Sequence, residues 1–552
     1  RARSDFRYCR IGFCLLHSEA SAAGRPYRAT TPEGIVEGRL PELVGPQLVV
    51  DGRDLPLFPA CSALSVEVDG AVSNATFEGS LFVMEDQRNW TDASFKTCCE
   101  AGGAYPYPAR SGQEFTQRVT ISASAVPPLA SRPQASRPRL ARIRELVVDP
   151  EPGGWPALGL GMSSDVDRAL QPREAQRLAE LKLDHLRVDL HLQSPRWQAE
   201  LVRASAAAEA CGAALEVALF GGPATPGEID GLGSLLPDGP PAVSRVLVFE
   251  EATAANHVTP GAWLQAVAGR VGSIAGHPVV HGGTDGDFAE LNRERPDFAS
   301  PIGLVYAMNP QVHAFDEASL VETLPAQATT VRTAREFANG GPLAISPVTF
   351  RQRFNPVATE APVPAPGTTL PAAVDPRQLS LFGAGWTLGS IASLAGAEVA
   401  AITYYETIGW RGVMESSGHR KRPPSFPSRA GQVFPLYHVF ADLADRRSAR
   451  RQAIQAGDAP SIAGLALRGR ASLRVLLANL APETQEVAVG PLPGRTAWVR
   501  LLDEHSYGRA TSAPAGFRAH AERVRLRNGS ARLRLGPFAY VRLDIRLDGS
   551  TG

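Results

Sequence analysis

From about Trp155 to Glu406 the chain alternates short apolar runs with amphipathic stretches, and this alternation constrains the fold more than any other feature. Eight runs have strand character: Ala157 to Met162, His185 to Leu190, Leu215 to Phe220, Val246 to Glu250, Val279 to Gly283, Gly303 to Met308, Leu343 to Val348 and Ala400 to Glu406. The stretches between them, such as Pro172 to Leu183 and Gln198 to Cys211, place apolar residues three and four apart, as a helix with one buried face requires. Strands alternating with helices imply a parallel sheet joined by right-handed crossovers, and eight such units imply a (β/α)8 TIM barrel. The overall class is therefore α/β.

The flanks read differently. Residues 33 to 125 contain short alternating runs (ALSVEVDG, NATFEGSLFVMED, FTQRVTISASAV) broken by Gly, Pro, Asn and Asp, the pattern of an antiparallel β-sandwich. A second set follows residue 446, in IAGLALRG, ASLRVLLANL, TQEVAVGPL, TAWVRLLD and YVRLDIRL. The expected domains are an N-terminal sandwich over 1–130, a barrel over 150–445 and a C-terminal sandwich over 446–552. A Pro-, Ser- and Arg-rich linker is expected at Val126 to Pro138. A Pro-rich insertion, Asn355 to Val374, is expected to overhang the catalytic face between strands seven and eight.

Composition narrows the function classes. Among the 552 residues, 56 Lys and Arg balance 56 Asp and Glu, which argues against a nucleic-acid footprint. No apolar run reaches the ~18 residues of a membrane span. Six cysteines without a paired CxxC arrangement fit a reducing, cytoplasmic protein, and the Asn74, Asn89 and Asn528 sequons are discounted on the bacterial look of the composition. The opening RARSDFRYCRIGFCLL lacks an initiator Met, so the native start is expected to lie upstream.

Barrel enzymes work at the carboxyl ends of their strands, so the polar residues there are the candidates. Strand two ends in Asp189 and His191, strand four in Glu250 and Glu251, and strand five is followed by Asp285, Asp287, Glu290 and Asn292. Strand six leads into Asn309, Gln311 and His313, and strand eight ends Tyr404-Tyr405-Glu406. Simple alternation puts Ile402, Tyr404 and Glu406 on one face. A carboxylate inside an aromatic strand is costly unless it reaches a polar mouth or is held by an arginine such as Arg411. Glu406 and Glu290 are the leading catalytic candidates and Glu251 the third, since FEEATAAN lacks the Asn-Glu pair of many retaining barrel glycosidases. Asp285 and Glu290 have a bland alternative as helix-capping and solvated groups. Asp189, Asp285, Asn292, Asn309, His313 and Tyr405 are candidates for substrate binding. Trp90 joins them from MEDQRNWTDASFKT, a segment that reads either as a salt-bridged interdomain seam or as a contributor of ligand contacts. The histidines form no HxH or HExxH set, and neither a GxSxG elbow nor a GxGxxG turn follows a strand, so no metal or other cofactor is expected.

Four segments, MEDQRNWTDASFKT, GGTDGDFAELNR, YAMNPQVHAFDEASLVETL and YYETIGWRGVME, resemble the D-apionate lactonase family of bacterial apiose catabolism. The resemblance implies hydrolysis of D-apionolactone, a small branched-sugar lactone, to D-apionate at a glycoside-hydrolase-like barrel. It transfers no catalytic residue. The join Cys98-Cys99-EAGGAYPYPARSG departs from the family pattern and leaves the edge of the N-terminal domain open. Lactone opening needs a base, an oxyanion stabiliser and an acid, and paired carboxylates of separated pKa can supply two of these. A retaining glycoside hydrolase using the same carboxylates is the alternative enzyme. A carbohydrate-binding assembly without turnover is the non-enzymatic one.

Overall fold

The computed structural model describes residues 1–547 apart from 9, 48, 51–52, 69, 100–105, 126–142, 165–166, 223–224, 236–240, 254–256, 272–276, 300, 355–369, 419–422 and 458–460. The expected linker at Val126 to Pro138, most of the Pro-rich insertion and the start of the stretch after Cys99 thus lie outside the described residues. The chain forms two compact units, Arg1–Pro138 and Arg139–Gly552.

In the first unit, Pro26–Thr31, Gly34–Arg39, Ala63–Val68, Ala71–Glu78 and Arg118–Ala125 make a five-stranded antiparallel sheet, and Cys14–Ser18, Phe82–Asp86 and Ser94–Cys99 a three-stranded one. Leu64, Val66, Ala75 and Phe77 of the first sheet share a core with Phe82, Met84, Phe95 and Cys99 of the second. The Phe77 and Phe82 rings stack at 4.1 Å between centroids. The MEDQRNW segment supplies the polar centre of this unit. Arg88, fully buried, donates from Nε and Nη2 to the two oxygens of Asp86 at 2.8 and 2.7 Å, and to the carbonyls of Glu42 and Pro41. Its guanidinium lies 4.4 Å from the Phe95 ring centroid. The charges that suggested an interdomain seam are therefore satisfied within the N-terminal unit: Arg88 by Asp86 and Glu19, and Glu85 by Lys96.

The second unit contains a closed parallel barrel of β1 (Ala157–Gly161), β2 (His185–His191), β3 (Ala214–Gly221), β4 (Val243–Glu250), β5 (Val279–Gly283), β6 (Gly303–Met308), β7 (Leu343–Val348) and β8 (Ala401–Glu406). Each strand lies where the apolar runs place it. Three helices position the mouth of the barrel and the sheet beside it: α1 (Phe288–Glu294), α2 (Leu381–Gly396) and α3 (Pro435–Asp442). Helix α2 is apolar nearly all round because it packs on barrel-side groups such as Tyr404 and on the strands Ile462–Arg468 and Ser472–Asn479 of the C-terminal sheet.

That sheet holds nine strands in one continuous order. Leu146, Val487 and Leu535 from one end of the order share a core with Ala497 and Leu543 from the other, so the sheet folds over on itself as a sandwich. One of its members precedes the barrel. Arg144–Gly153 pairs antiparallel with Arg450–Gln455 and parallel with Gln485–Gly490, so the chain enters the C-terminal sheet before it enters the barrel. Apolar alternation does not reveal this strand, because its PEPG half carries two prolines and its partners are remote.

Asp442, at the end of α3 and fully buried, ties helix to sheet. Its carboxylate accepts from Arg518 at 2.8 Å, Arg542 at 2.9 Å and the Tyr540 hydroxyl at 3.0 Å, and from Arg500. Burial opposes the charge, but the three guanidiniums hold this carboxyl far below the usual carboxylate range. Asp442→Asn leaves three cations without their shared anion and is expected to lower unfolding free energy by about 3–5 kcal/mol in urea titrations. A loss below about 1 kcal/mol would place the adhesion elsewhere.

Candidate active site

The barrel interior combines an apolar cluster (Ala218, Phe220, Leu247, Phe249, Val305) with a run of polar and charged groups where an ordinary barrel is filled by branched apolar residues. Strand β2 reads His-Leu-Arg-Val-Asp-Leu-His, and its odd members, His185, Arg187, Asp189 and His191, turn inward while the leucines and valine turn out. At the floor, Glu216 of β3 accepts from Ser346 Oγ at 2.5 Å, Thr403 Oγ1 at 2.6 Å and Arg245 Nη1 at 3.0 Å. His185 Nε2 lies 2.7 Å from Thr403 Oγ1. Two glycines make room for the imidazoles: a Cβ at Gly159 would sit 2.3 Å from the His185 ring, and one at Gly303 2.4 Å from the His281 ring. Burial works against Glu216, yet His185, Arg245 and the hydroxyls hold it down to about 2. Burial also pushes His185 to about 4, so the imidazole is neutral near pH 7 and Arg245 is the standing counter-charge.

Arg187 carries this network up to the mouth. Nε donates to Asp189 at 2.7 Å, Nη2 to Asp285 at 2.8 Å, and Nη1 to the Ser346 carbonyl at 2.6 Å and hydroxyl at 3.2 Å. One side chain thus joins β2, the loop after β5 and β7, through the serine that also bonds Glu216. Above it Arg353 pairs with Asp285 Oδ1 at 2.8 Å and donates to the Asp285 carbonyl at 2.6 Å. Burial raises Asp189, but the charges of Arg187 and Arg353 outweigh it and leave this carboxyl below its ordinary value.

Asp287 begins α1 as its N-cap, and Glu290 closes a capping box by accepting from the Asp287 N–H at 3.0 Å. The Asp287 carboxylate accepts from Asn309 Nδ2 at 3.0 Å and from Gln352 Nε2 at 3.4 Å. Burial raises Asp287 to about 6 against the pull of the Asn309 bond and the Arg353 charge. Burial and then the Asp287 charge raise Glu290 to about 7, with Arg293 3.7 Å away in opposition. Two adjacent carboxyls in this state retain a proton near neutrality.

Glu406 reaches the mouth by a break in strand parity. Tyr405 has φ of 41°, and the β1–β8 register slips between Leu160 and Gly161. As a result Tyr404 and Tyr405 both face α2, bonding Ser390 at 2.8 Å and Thr387 at 2.9 Å. Glu406 then turns inward, over Gly161. The simple alternation that grouped Tyr404 with Glu406 is corrected by this bulge. Glu406 accepts from Ser164 Oγ at 2.8 Å and pairs with Arg411 at 2.9 Å. On the other side of the mouth, His191 Nδ1 lies 2.9 and 3.0 Å from the two oxygens of Glu251.

Three family models account for most of the chain: D-apionate lactonase, N-terminal domain, over 1–126; D-apionate lactonase, TIM barrel domain, over 158–448; and D-apionate lactonase, C-terminal immunoglobulin-like domain, over 460–543. The chain belongs to the D-apionate lactonase family. A D-apionate lactonase of Brucella anthropi is 25% identical over 463 residues, covering 80% of this chain and 71% of that one. Similar solved structures include a GH30 endoxylanase of Clostridium papyrosolvens (TM-score 0.48, 11% identity, 73% of this chain and 100% of that one). A glucosidase of Croceicoccus marinus is another (TM-score 0.47, 13% identity, 73% and 99%). Membership in the D-apionate lactonase family makes this chain a hydrolase of the lactonase type.

Within this lactonase the sequence candidates part company. Asp189, Asp285 and Asn309 belong to the mouth network with Arg187, Arg353 and Asp287, and Glu406 and Glu251 reach the mouth with partners of their own. Glu290 is engaged as the capping partner of Asp287. Tyr405 is corrected from substrate binding to the barrel–helix layer, where burial and Thr387 fix its hydroxyl. Asn292 is likewise corrected: it is fully buried in α1 and accepts from Arg295 Nε at 2.9 Å. His313 is exposed on the loop after β6, and Trp90 is half-buried on the Gln87–Trp90 turn of the N-terminal unit. Asp287 was among the strand-five candidates without a role of its own; of the network members not singled out from sequence, Arg187, Ser346 and Arg353, only Arg187 had a usable signal. Polar residues every second position in β2 have no place in an apolar barrel strand.

The two floor histidines make stability depend on pH. Burial depresses His185 and His281 to about 4. Above about pH 6.5 folded and unfolded chains both hold them neutral; below it the unfolded chain takes up protons that the folded one refuses. Stability is expected to fall as pH drops from about 6.5 toward about 4, and His281→Gln to lessen that slope by up to about 1.4 kcal/mol per pH unit in denaturant titrations.

Proposed function

We propose that this chain hydrolyses D-apionolactone to D-apionate at the barrel mouth. The observation that carries the reading is the adjacent pair of half-buried Asp287 and buried Glu290, joined through the capping box of α1 and raised to about 6 and 7 beside Arg353 and Asn309. The D-apionate lactonase of Brucella anthropi supports the choice of substrate.

Water adds to the lactone carbonyl, its negative charge builds on the carbonyl oxygen, and collapse expels the ring oxygen, a poor leaving group unless protonated. Asp287, the member of the pair at the mouth, supplies that proton, with Glu290 as the reserve behind it. Arg353, held in place by Asp285, offers a cation to the oxyanion and then to the product carboxylate. Glu406 with Ser164 and Arg411, and Asp189 on Arg187, offer acceptors to the sugar hydroxyls. Each turnover yields a carboxylate and releases one proton.

Proton release is the assay, with D-apionolactone and a p-nitrophenyl glycoside panel. Asp287→Asn is expected to lower kcat by at least about 10²-fold with the fold intact. Because the pair must hold a proton, kcat/KM is expected to decline as pH rises through about 6 to 7, and this limb disappears in Asp287→Asn. Cleavage of a glycoside without lactone turnover would make the protein a glycoside hydrolase and sink the proposal.

A further inference from the structure

The proton donor at Asp287 leaves the other half of the reaction without an actor, since water must lose a proton as it attacks. Strand β2 places a candidate on the same inward face as Arg187 and Asp189. His191 is its last residue, and Glu251 follows the end of β4, two strands away around the barrel.

Their geometry is that of an oriented base. Both Glu251 oxygens lie within hydrogen-bond distance of Nδ1. A carboxylate only accepts, so Nδ1 carries the hydrogen and the neutral ring keeps its lone pair on Nε2. The ring plane is set by Phe220, which stacks on it at 4.5 Å between centroids with 19° between planes. Phe220 itself faces the barrel interior with Ala218, Leu247 and Phe249. The imidazole therefore has one edge fixed by Glu251 and one face fixed by Phe220. Its Nε2 edge has no protein partner among the described residues, and 47% of the side chain stays open to solvent. It is also close enough to Asp189 for an imidazolium there to lower that carboxyl.

We propose that His191 is the general base that activates the attacking water, with Glu251 as the residue that positions it; this rests on the lactonase reading above. The water proton passes to Nε2 as the water oxygen bonds the lactone carbonyl carbon, whose π pair moves onto its oxygen. The carbon–ring oxygen bond then breaks, the ring oxygen takes the proton from Asp287, and the imidazolium returns its proton to solvent. The new carboxylic acid ionises and the Asp287–Glu290 pair regains a proton, so that one proton is released in all.

The test uses the full chain with D-apionolactone. His191→Ala is expected to lower kcat by about 10²–10³-fold while KM changes by less than roughly threefold, and Glu251→Gln to lower kcat by about 10- to 10²-fold. Added imidazole is expected to raise His191→Ala turnover by at least about tenfold, saturably, while leaving Asp287→Asn unmoved. A structural pair would give no such rescue. Wild-type turnover together with a folded His191→Ala that keeps more than about a third of kcat, or that imidazole fails to rescue, overturns the base assignment alone. A wild type that does not open the lactone overturns the function proposal on which it rests.

Discussion

Arg187 is the residue around which the catalytic half of this molecule is arranged. An arginine inside a barrel is costly unless every donor is met, and here each of its three nitrogens finds an oxygen on a different part of the barrel. That requirement propagates. Asp189 and Asp285 are fixed by it, Arg353 is fixed by Asp285, and Ser346 transmits the arrangement to Glu216 and the floor. The charged interior therefore acts as a frame that holds strand ends in register with one another, a task that dispersion forces between branched side chains perform less directionally. Its cost in desolvation is met by hydrogen bonds along its whole length.

The same frame separates two electrostatic environments within one mouth. Near Arg187 and Arg353 a carboxyl is kept ionised, as Asp189 is. A short distance along the loop after β5, burial raises Asp287 against the Asn309 bond and the Arg353 charge, burial and the Asp287 charge raise Glu290, and the pair retains a proton. Acidic groups of one chemical type are thus given opposite protonation states by position alone, the condition under which acid and base roles can coexist at one pH.

The barrel was legible because its signal is periodic and local: eight apolar runs at regular spacing leave little freedom once parallel crossovers are required. The two β-domains were legible for the same reason, except for Arg144–Gly153, whose partners are distant in sequence. The site was legible at the level of strand ends and no finer. Position placed Glu406, Asp189 and Asp285 at the mouth. Alternation misjudged Tyr405, because a single residue at φ 41° inverts every face beyond it. Glu290 and Asn292 have the composition of site residues and the partners of a helix, and spacing cannot separate the two. Arg187 was overlooked since an inward cation is sensible only once its three anchors are known to converge.

The early strand Arg144–Gly153 has a consequence for how the molecule is made. It leaves the ribosome before the barrel, yet its partners Arg450–Gln455 and Gln485–Gly490 emerge only after the barrel is complete. While synthesis proceeds, its hydrogen-bonding edges and the apolar side chains Leu146 and Val148 wait for strands that do not yet exist. The barrel can close in the meantime, but docking of the C-terminal sheet is postponed to the end of translation. Premature termination after the last barrel strand ends at Glu406 but before Arg450 therefore leaves an unpaired apolar strand tethered to a finished barrel, a species suited to capture by chaperones or to edge-to-edge association.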